Sequence, residues 1–167
     1  MENGWAKNMQ EERLDCDGVV DVGLIVISHW ENPAKYTALD FLRKVLLREV
    51  KAVIPNSAFI GAYHVMTSYL NLSRPEAAGA LSKTLSLNTP AFYENILKED
   101  ILEGFNYCLS YSIESWDAYL LSLGRRLGTR TVFSIDNKLK TKANDFNIVN
   151  PIPEETMKKY HTFVSKL

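Results

Sequence analysis

The chain has 167 residues, 46% of them hydrophobic, and a formal net charge of −1 at pH 7. That length favours one domain with enough chain for a sizeable core. The near-neutral balance excludes nucleic-acid binding driven by bulk positive charge, but not binding through a local basic patch. No apolar stretch reaches the length of a membrane span. The polar start, Met1 to Arg13, lacks the apolar core of a secretory signal and reads as a flexible extension over residues 1–16, ahead of a single domain at 17–167. Cys16 and Cys108 are far apart and follow no metal spacing, which fits reduced thiols and a cytoplasmic location.

In chain order, Val19 to Val22 reads as a short buried strand. Asn32-Pro33 suits a helix start, because Asn caps and Pro fits the first turn. Tyr36, Leu39, Leu42, Val45 and Leu46 then share one helical face. Lys51 to Ile54 reads as a second strand stopped by Pro55. Ser57 is expected to cap a helix carrying Phe59, Ala62, Tyr63, Met66 and Leu70. Ser73-Arg74-Pro75-Glu76 forms a capping box for the next helix. Gly61 and Gly79 cost about 1 kcal/mol each against alanine within helices, which implies close packing.

Ala91 to Tyr93 reads as a short strand and Lys98 to Cys108 as a helix. Ser112 is expected to cap a helix from Ile113 to Leu127 that ends at Gly128. Arg130 to Ile135 has no polar alternation, as in a strand covered on both faces. Asn147 to Val149 is a last strand, and Pro153-Glu154-Glu155 opens a closing helix. This alternation predicts an α/β protein, a three-layer α/β/α sandwich around a mostly parallel sheet. Sites in such folds lie beyond the carboxyl ends of the strands.

Three aspartates fall at that edge. Asp21 and Asp136 end apolar runs, and Asp117 sits near the start of a helix pointing the same way. Taken singly, each has an ordinary explanation: a strand-ending turn, a first-turn acid favoured by the helix dipole, a plain turn residue. Taken together they would repel one another. Two charges about 4 Å apart repel by roughly 4 kcal/mol at an effective dielectric near 20. A hard divalent cation such as Mg²⁺ or Mn²⁺ relieves that repulsion and can acidify bound water.

Four segments carry a resemblance. Gly18-Val19-Val20-Asp21 resembles the opening strand of PIN-domain nucleases. Ile54-Pro55-Asn56-Ser57 resembles the entry to their second core helix. Ser115-Trp116-Asp117-Ala118 resembles their later acidic helix, and Ser134-Ile135-Asp136 the end of their last core strand. The resemblance spans roughly residues 17 to 150 and implies a metal-dependent ribonuclease similar to VapC-type toxins. It implies that Asp21, Asp117 and Asp136 ligate Mg or Mn or orient metal-bound water. It also implies that Ser134 supports them by hydrogen bonding. The expected partners are RNA, an antitoxin protein and a second copy of the chain.

One departure stands out. The family's usual glutamate, one turn into the helix after the second strand, aligns with Gly61. Glu114, three residues before Asp117, shares a helical face with it and could partly substitute, although a solvated first-turn glutamate is the better reading. The missing acid motivates a second reading, a catalytically weak or inactive PIN-like module that binds RNA or a protein. A third, an unrelated phosphate-binding α/β protein, is disfavoured by the absence of a glycine-rich phosphate loop. Lys138, Lys140, Lys142, Arg125, Arg126 and Arg130 are candidate phosphate contacts, and salt-dependent binding would mark them. His29 follows the first strand, within reach of the acids, but a polar loop position is the better reading of it. Trp116 reads as core rather than as a stacking platform.

Overall fold

A computed structural model describes residues 15–167. The extension expected over residues 1–16 therefore falls almost wholly outside the described residues. Asp17 is already tied to the sheet edge, its N–H donating to the Lys51 carbonyl at 2.8 Å.

Among the described residues, five strands form one sheet: β1 (Gly18–Val20), β2 (Ala52–Pro55), β3 (Phe92–Tyr93), β4 (Thr131–Phe133) and β5 (Asn147–Val149). Their order is β3-β2-β1-β4-β5. Every neighbouring pair is parallel, with Val19 opposite Val53 and Val132. The pleat sends alternate residues to opposite faces. Val20, Ala52 and Ile54 pack under α1 (Val22–Ser28), α2 (Lys35–Leu46), α3 (Ser57–Ser68), α4 (Arg74–Leu85) and α8 (Glu154–Val164). Val19, Val53, Val132 and Ile148 pack under α5 (Lys98–Tyr111), α6 (Ser115–Arg126) and α7 (Asn137–Lys142). This is the expected three-layer α/β/α sandwich, and its strands are buried on both faces because helices cover both.

Several local expectations need correction. The apolar run after Asp21 does not extend the first strand; it is helix α1. A run buried on every side lacks the polar positions that distinguish period 2 from period 3.6. The buried face of α2 is Ala38, Phe41, Leu42 and Val45, while Tyr36 is 74% exposed. Ser57 does not cap α3: Asn56 holds the cap position without a side-chain bond, and Ser57 is the first helical residue. Ser112 closes α5 in the left-handed conformation, and Glu114 is the N-cap of α6. Ser73 does cap α4, accepting the Glu76 N–H at 3.3 Å. Gly61 is packed closely, because a Cβ there would lie 3.1 Å from Val22 Cγ2, whereas a Cβ on Gly79 would meet open space.

The position of α6 matters most, because it carries Asp117. Gly104 of α5 lets the two helices approach: its Cβ would lie 3.4 Å from the Tyr119 backbone nitrogen. Arg126 then clamps α6 to α5, donating to both Asp100 oxygens at 2.7 and 2.8 Å. The Arg126 guanidinium also lies over the Tyr93 ring. Asp100 is only 2% exposed. Arg126→Ala would strand that buried carboxylate and is expected to destabilise the fold by about 3–5 kcal/mol. Arg125 pairs with the exposed Glu103, so Arg125→Ala should cost no more than about 1 kcal/mol. Chemical denaturation of the two variants measures the contrast.

Candidate functional site

Parallel pairing of β1 with β4 brings the ends of both strands together. The Asp21 N–H donates to the Phe133 carbonyl at 2.9 Å. One residue further along, the buried Ser134 hydroxyl donates to Asp21 Oδ2 at 2.6 Å and accepts the Asp136 N–H at 3.0 Å. Asp21 Oδ1 accepts the Val22 N–H at 2.6 Å, so the same carboxylate caps α1. Asp136 caps α7, its Oδ1 accepting from Lys138 N at 2.7 Å and Leu139 N at 3.1 Å. Both acids thus sit at positive helix ends, which favours their negative charge.

The electrostatics tie the third acid to these two. Burial pushes the Asp21 pKa up; the Ser134 and Val22 hydrogen bonds oppose that shift, and the Asp136 charge adds to it. Asp117, half-buried in the first turn of α6, is pushed up to about 7. Burial is the main cause, followed by the charges of Asp21, Asp136 and Glu114, with Lys142 opposing. Asp117 therefore feels both other aspartates, and it can exchange a proton at neutral pH. Glu114, an exposed N-cap residue, contributes to the same field.

The donor set suits a hard divalent cation in its chemistry. Its geometry is not a preformed cage. Among the described residues, no group of three or more His, Cys, Asp or Glu side chains is placed to hold a metal ion. Asp21 in particular has both oxygens engaged with protein donors. Binding a cation across Asp21, Asp117 and Asp136 requires side-chain movement, with charge relief as the driving force.

Gly61 faces this edge, but its surroundings are filled. A Cβ there would crowd Val22 and lie 3.8 Å from Trp116 Cζ2. His29 is held elsewhere, at the far end of α1. Its Nδ1 lies 2.6 Å from the Ile25 carbonyl and its Nε2 2.7 Å from Thr84 Oγ1. Most candidate phosphate contacts have partners as well. Arg126 is committed to Asp100, Arg125 contacts Glu103 and Tyr107, and Lys142 donates to the Ser112 carbonyl at 2.5 Å. Lys138 and Lys140 project from α7 as exposed residues. Two features had no clear signal in the sequence. One is the closeness of Lys142 to Asp117; the other is a cavity between α3, α5 and α6 that Trp116 lines rather than merely filling core.

The raised Asp117 pKa makes the stability of the fold depend on pH. The folded state binds this proton more tightly than an ordinary aspartate with a pKa of 3.8. The resulting stabilisation is full below about pH 4 and is lost as pH rises through about 7. In EDTA, Asp117→Asn should therefore raise stability at pH 8 by on the order of 1 kcal/mol after solvent screening, or about 2–4 °C in melting temperature. At pH 4.5 the two proteins should melt nearly together. Thermal melts at both pH values check this.

No protein-family model matches the sequence, and no curated protein is significantly similar to it. Among solved structures, the fold is similar to that of VapC20 from Mycobacterium tuberculosis, described as a toxin that cleaves the sarcin–ricin loop. The TM-score is 0.59 at 14% sequence identity, covering 80% of this chain and 98% of that one. At that identity the likeness establishes architecture. Together with the five-stranded parallel sheet and its helical layers, it gives the chain a VapC-like PIN fold.

Proposed function

We propose that the chain is a metal-dependent endoribonuclease that hydrolyses RNA phosphodiester bonds. Asp21, Asp117 and Asp136 are the residues that would hold a Mg²⁺ or Mn²⁺ ion. The observation that carries this reading is the acid edge itself. Asp21 and Asp136 are joined through Ser134, and Asp117 has its pKa raised to about 7 partly by their charges. That field is expensive for a protein to maintain without a cation. The fold shared with VapC20 supports the same reading.

A bound ion would supply charge neutralisation at the phosphate and acidify a water molecule. The chain's own residues do the positioning. Ser134 and the Val22 N–H hold the Asp21 carboxylate in one orientation. The α7 N–H groups hold Asp136. Exposed Lys138 and Lys140 lie two and four residues beyond Asp136, where they would meet a polyanion. The same reading includes an antitoxin protein as partner, a homodimer and a cytoplasmic location. Among the described residues, no helix is long and apolar enough to cross a membrane.

Single-stranded RNA incubated with Mn²⁺ tests the catalytic claim. Wild type should cleave, EDTA should stop it, and Asp21→Asn should reduce it to background. Equal cleavage by wild type and Asp21→Asn would sink the proposal. Ser134→Ala should lower activity by about 10- to 100-fold, the usual effect of losing a partner that orients a ligand.

A second reading, a catalytically weak module that binds RNA or a protein, draws on two observations. The acids are not gathered into a cage, and Val22 and Trp116 crowd the position of the family's glutamate. Gly61→Glu combined with Val22→Ala makes room for the acid. If wild type cleaves well and the double variant gains no Mn²⁺ affinity by calorimetry, as the first reading expects, the second fails. A gain above about tenfold, accompanied by newly acquired cleavage, would support it.

A further inference from the structure

We propose that Lys142 is a positioning residue of the acid edge, tying the turn that leads to Asp117 to the helix that Asp136 opens; this rests on the ribonuclease reading above. Its Nζ donates to the Ser112 carbonyl at 2.5 Å, a contact between residues 30 apart in the chain. Ser112 is the C-cap of α5, and Asp117 follows it in the first turn of α6. Lys142 is the last residue of α7, and Asp136 is the N-cap of that same helix. At 1.5 Å per residue, Lys142 stands only about 9 Å along α7 from Asp136. Ser134 joins Asp21 to Asp136 from one side. Lys142 joins α7 to the approach of Asp117 from the other.

The Ser112 turn has a physical need for this contact. Its φ is +53°, in the left-handed region that costs a non-glycine residue about 1–2 kcal/mol. Such a conformation persists where surrounding contacts fix it. The last carbonyls of a helix also lack partners within it and carry partial negative charge. An ammonium group supplies both a donor and a positive charge. A second tie runs beside the first. The Tyr111 hydroxyl donates to Asp145 Oδ2 at 2.8 Å, and the rings of Tyr107, Tyr111 and Phe146 lie 5.5 to 6.2 Å apart. These contacts hold the end of α5 to the loop after α7, whereas Lys142 reaches it from α7 itself.

Lys142 also lies in the field of Asp117, where its charge opposes the rise of that carboxyl's pKa. A tether and a charge predict different things. Removing a positive charge would by itself favour a cation at the acids, whereas removing a tether would disfavour it. High salt separates the two, because it screens charge across solvent and leaves the tether in place.

The test compares Lys142→Met, which removes donor and charge, with Lys142→Arg, which keeps both. The residue is exposed, so both variants should melt within about 2 °C of wild type. Each is titrated with MnCl₂ by calorimetry in about 0.5 M NaCl, well below its melting temperature. Lys142→Met should bind Mn²⁺ about tenfold more weakly, and Lys142→Arg nearly as wild type does. On single-stranded RNA, Lys142→Met should lose about tenfold in kcat with KM unchanged, and Lys142→Arg should recover it. In EDTA all three proteins should bind fluorescein-labelled oligouridylate alike.

The proposal is overturned if Lys142→Met binds Mn²⁺ in high salt as tightly as wild type, whether or not its melting temperature falls. The lysine then acts only through charge or stability. It is also overturned if Lys142→Met weakens oligouridylate binding in EDTA and lowers its salt slope by about one, which would make Lys142 a phosphate contact. Wild type separates this claim from the ribonuclease reading. Cleavage and Mn²⁺ binding by wild type, undiminished in Lys142→Met, remove the positioning role and leave the enzyme. A wild type that neither binds Mn²⁺ nor cleaves removes both.

Discussion

The Ser134 hydroxyl is the contact on which the acid edge depends. Placed at the end of β4, it donates to the Asp21 carboxylate at the end of β1 and accepts the Asp136 N–H two residues along its own chain. One buried hydroxyl therefore joins two strands and two acids. It can do so only because β1 and β4 are adjacent and parallel, with Val20 opposite Phe133. Asp21 is 6% exposed, and a carboxylate so buried needs such donors to remain charged. Charge-assisted hydrogen bonds are the stronger kind, so this linkage fixes Asp21 and the Asp136 backbone to one hydroxyl.

Asp117 reaches the edge by a different route. It is held by the docking of α6 rather than by a hydrogen bond to the other acids. That docking rests on the close approach at Gly104 and on the pairing of Arg126 with the buried Asp100. The consequence is a carboxyl brought into the field of its neighbours without a donor to offset burial, hence its pKa near 7. The two strand-end acids are locked and the helical one is electrostatically frustrated. A cation bound there would relieve that frustration, and the movement needed to gather its ligands would oppose binding.

Much of the architecture was legible because it depends on local signals. Pro55, Pro75 and Gly128 punctuate the chain, Ser73 caps α4, and the apolar run at 131–135 marks a strand covered on both faces. Elsewhere local pattern and final structure part company. The run 22–28 is helical although nothing polar reveals its period, and Asp21 turns from a strand end into a helix cap. Ser57 and Ser112 look like caps and are not, because the neighbouring Asn56 and Glu114 occupy those positions. Tyr36 faces solvent because the buried face of α2 turns to Ala38 and Phe41.

The sequence by itself determined the fold class, the order of most elements and which acids end up at the carboxyl edge of the sheet. Those follow from hydrophobic periodicity and turn chemistry, which act over a few residues. Only the tertiary structure decided how the acids relate to one another. The separation of Asp21, Asp117 and Asp136 in the chain says nothing of the Ser134 bridge to Asp21 or the commitment of Arg126 to Asp100. Each depends on groups far apart in sequence meeting at hydrogen-bond or van der Waals distance, and local pattern carries no information on such distances.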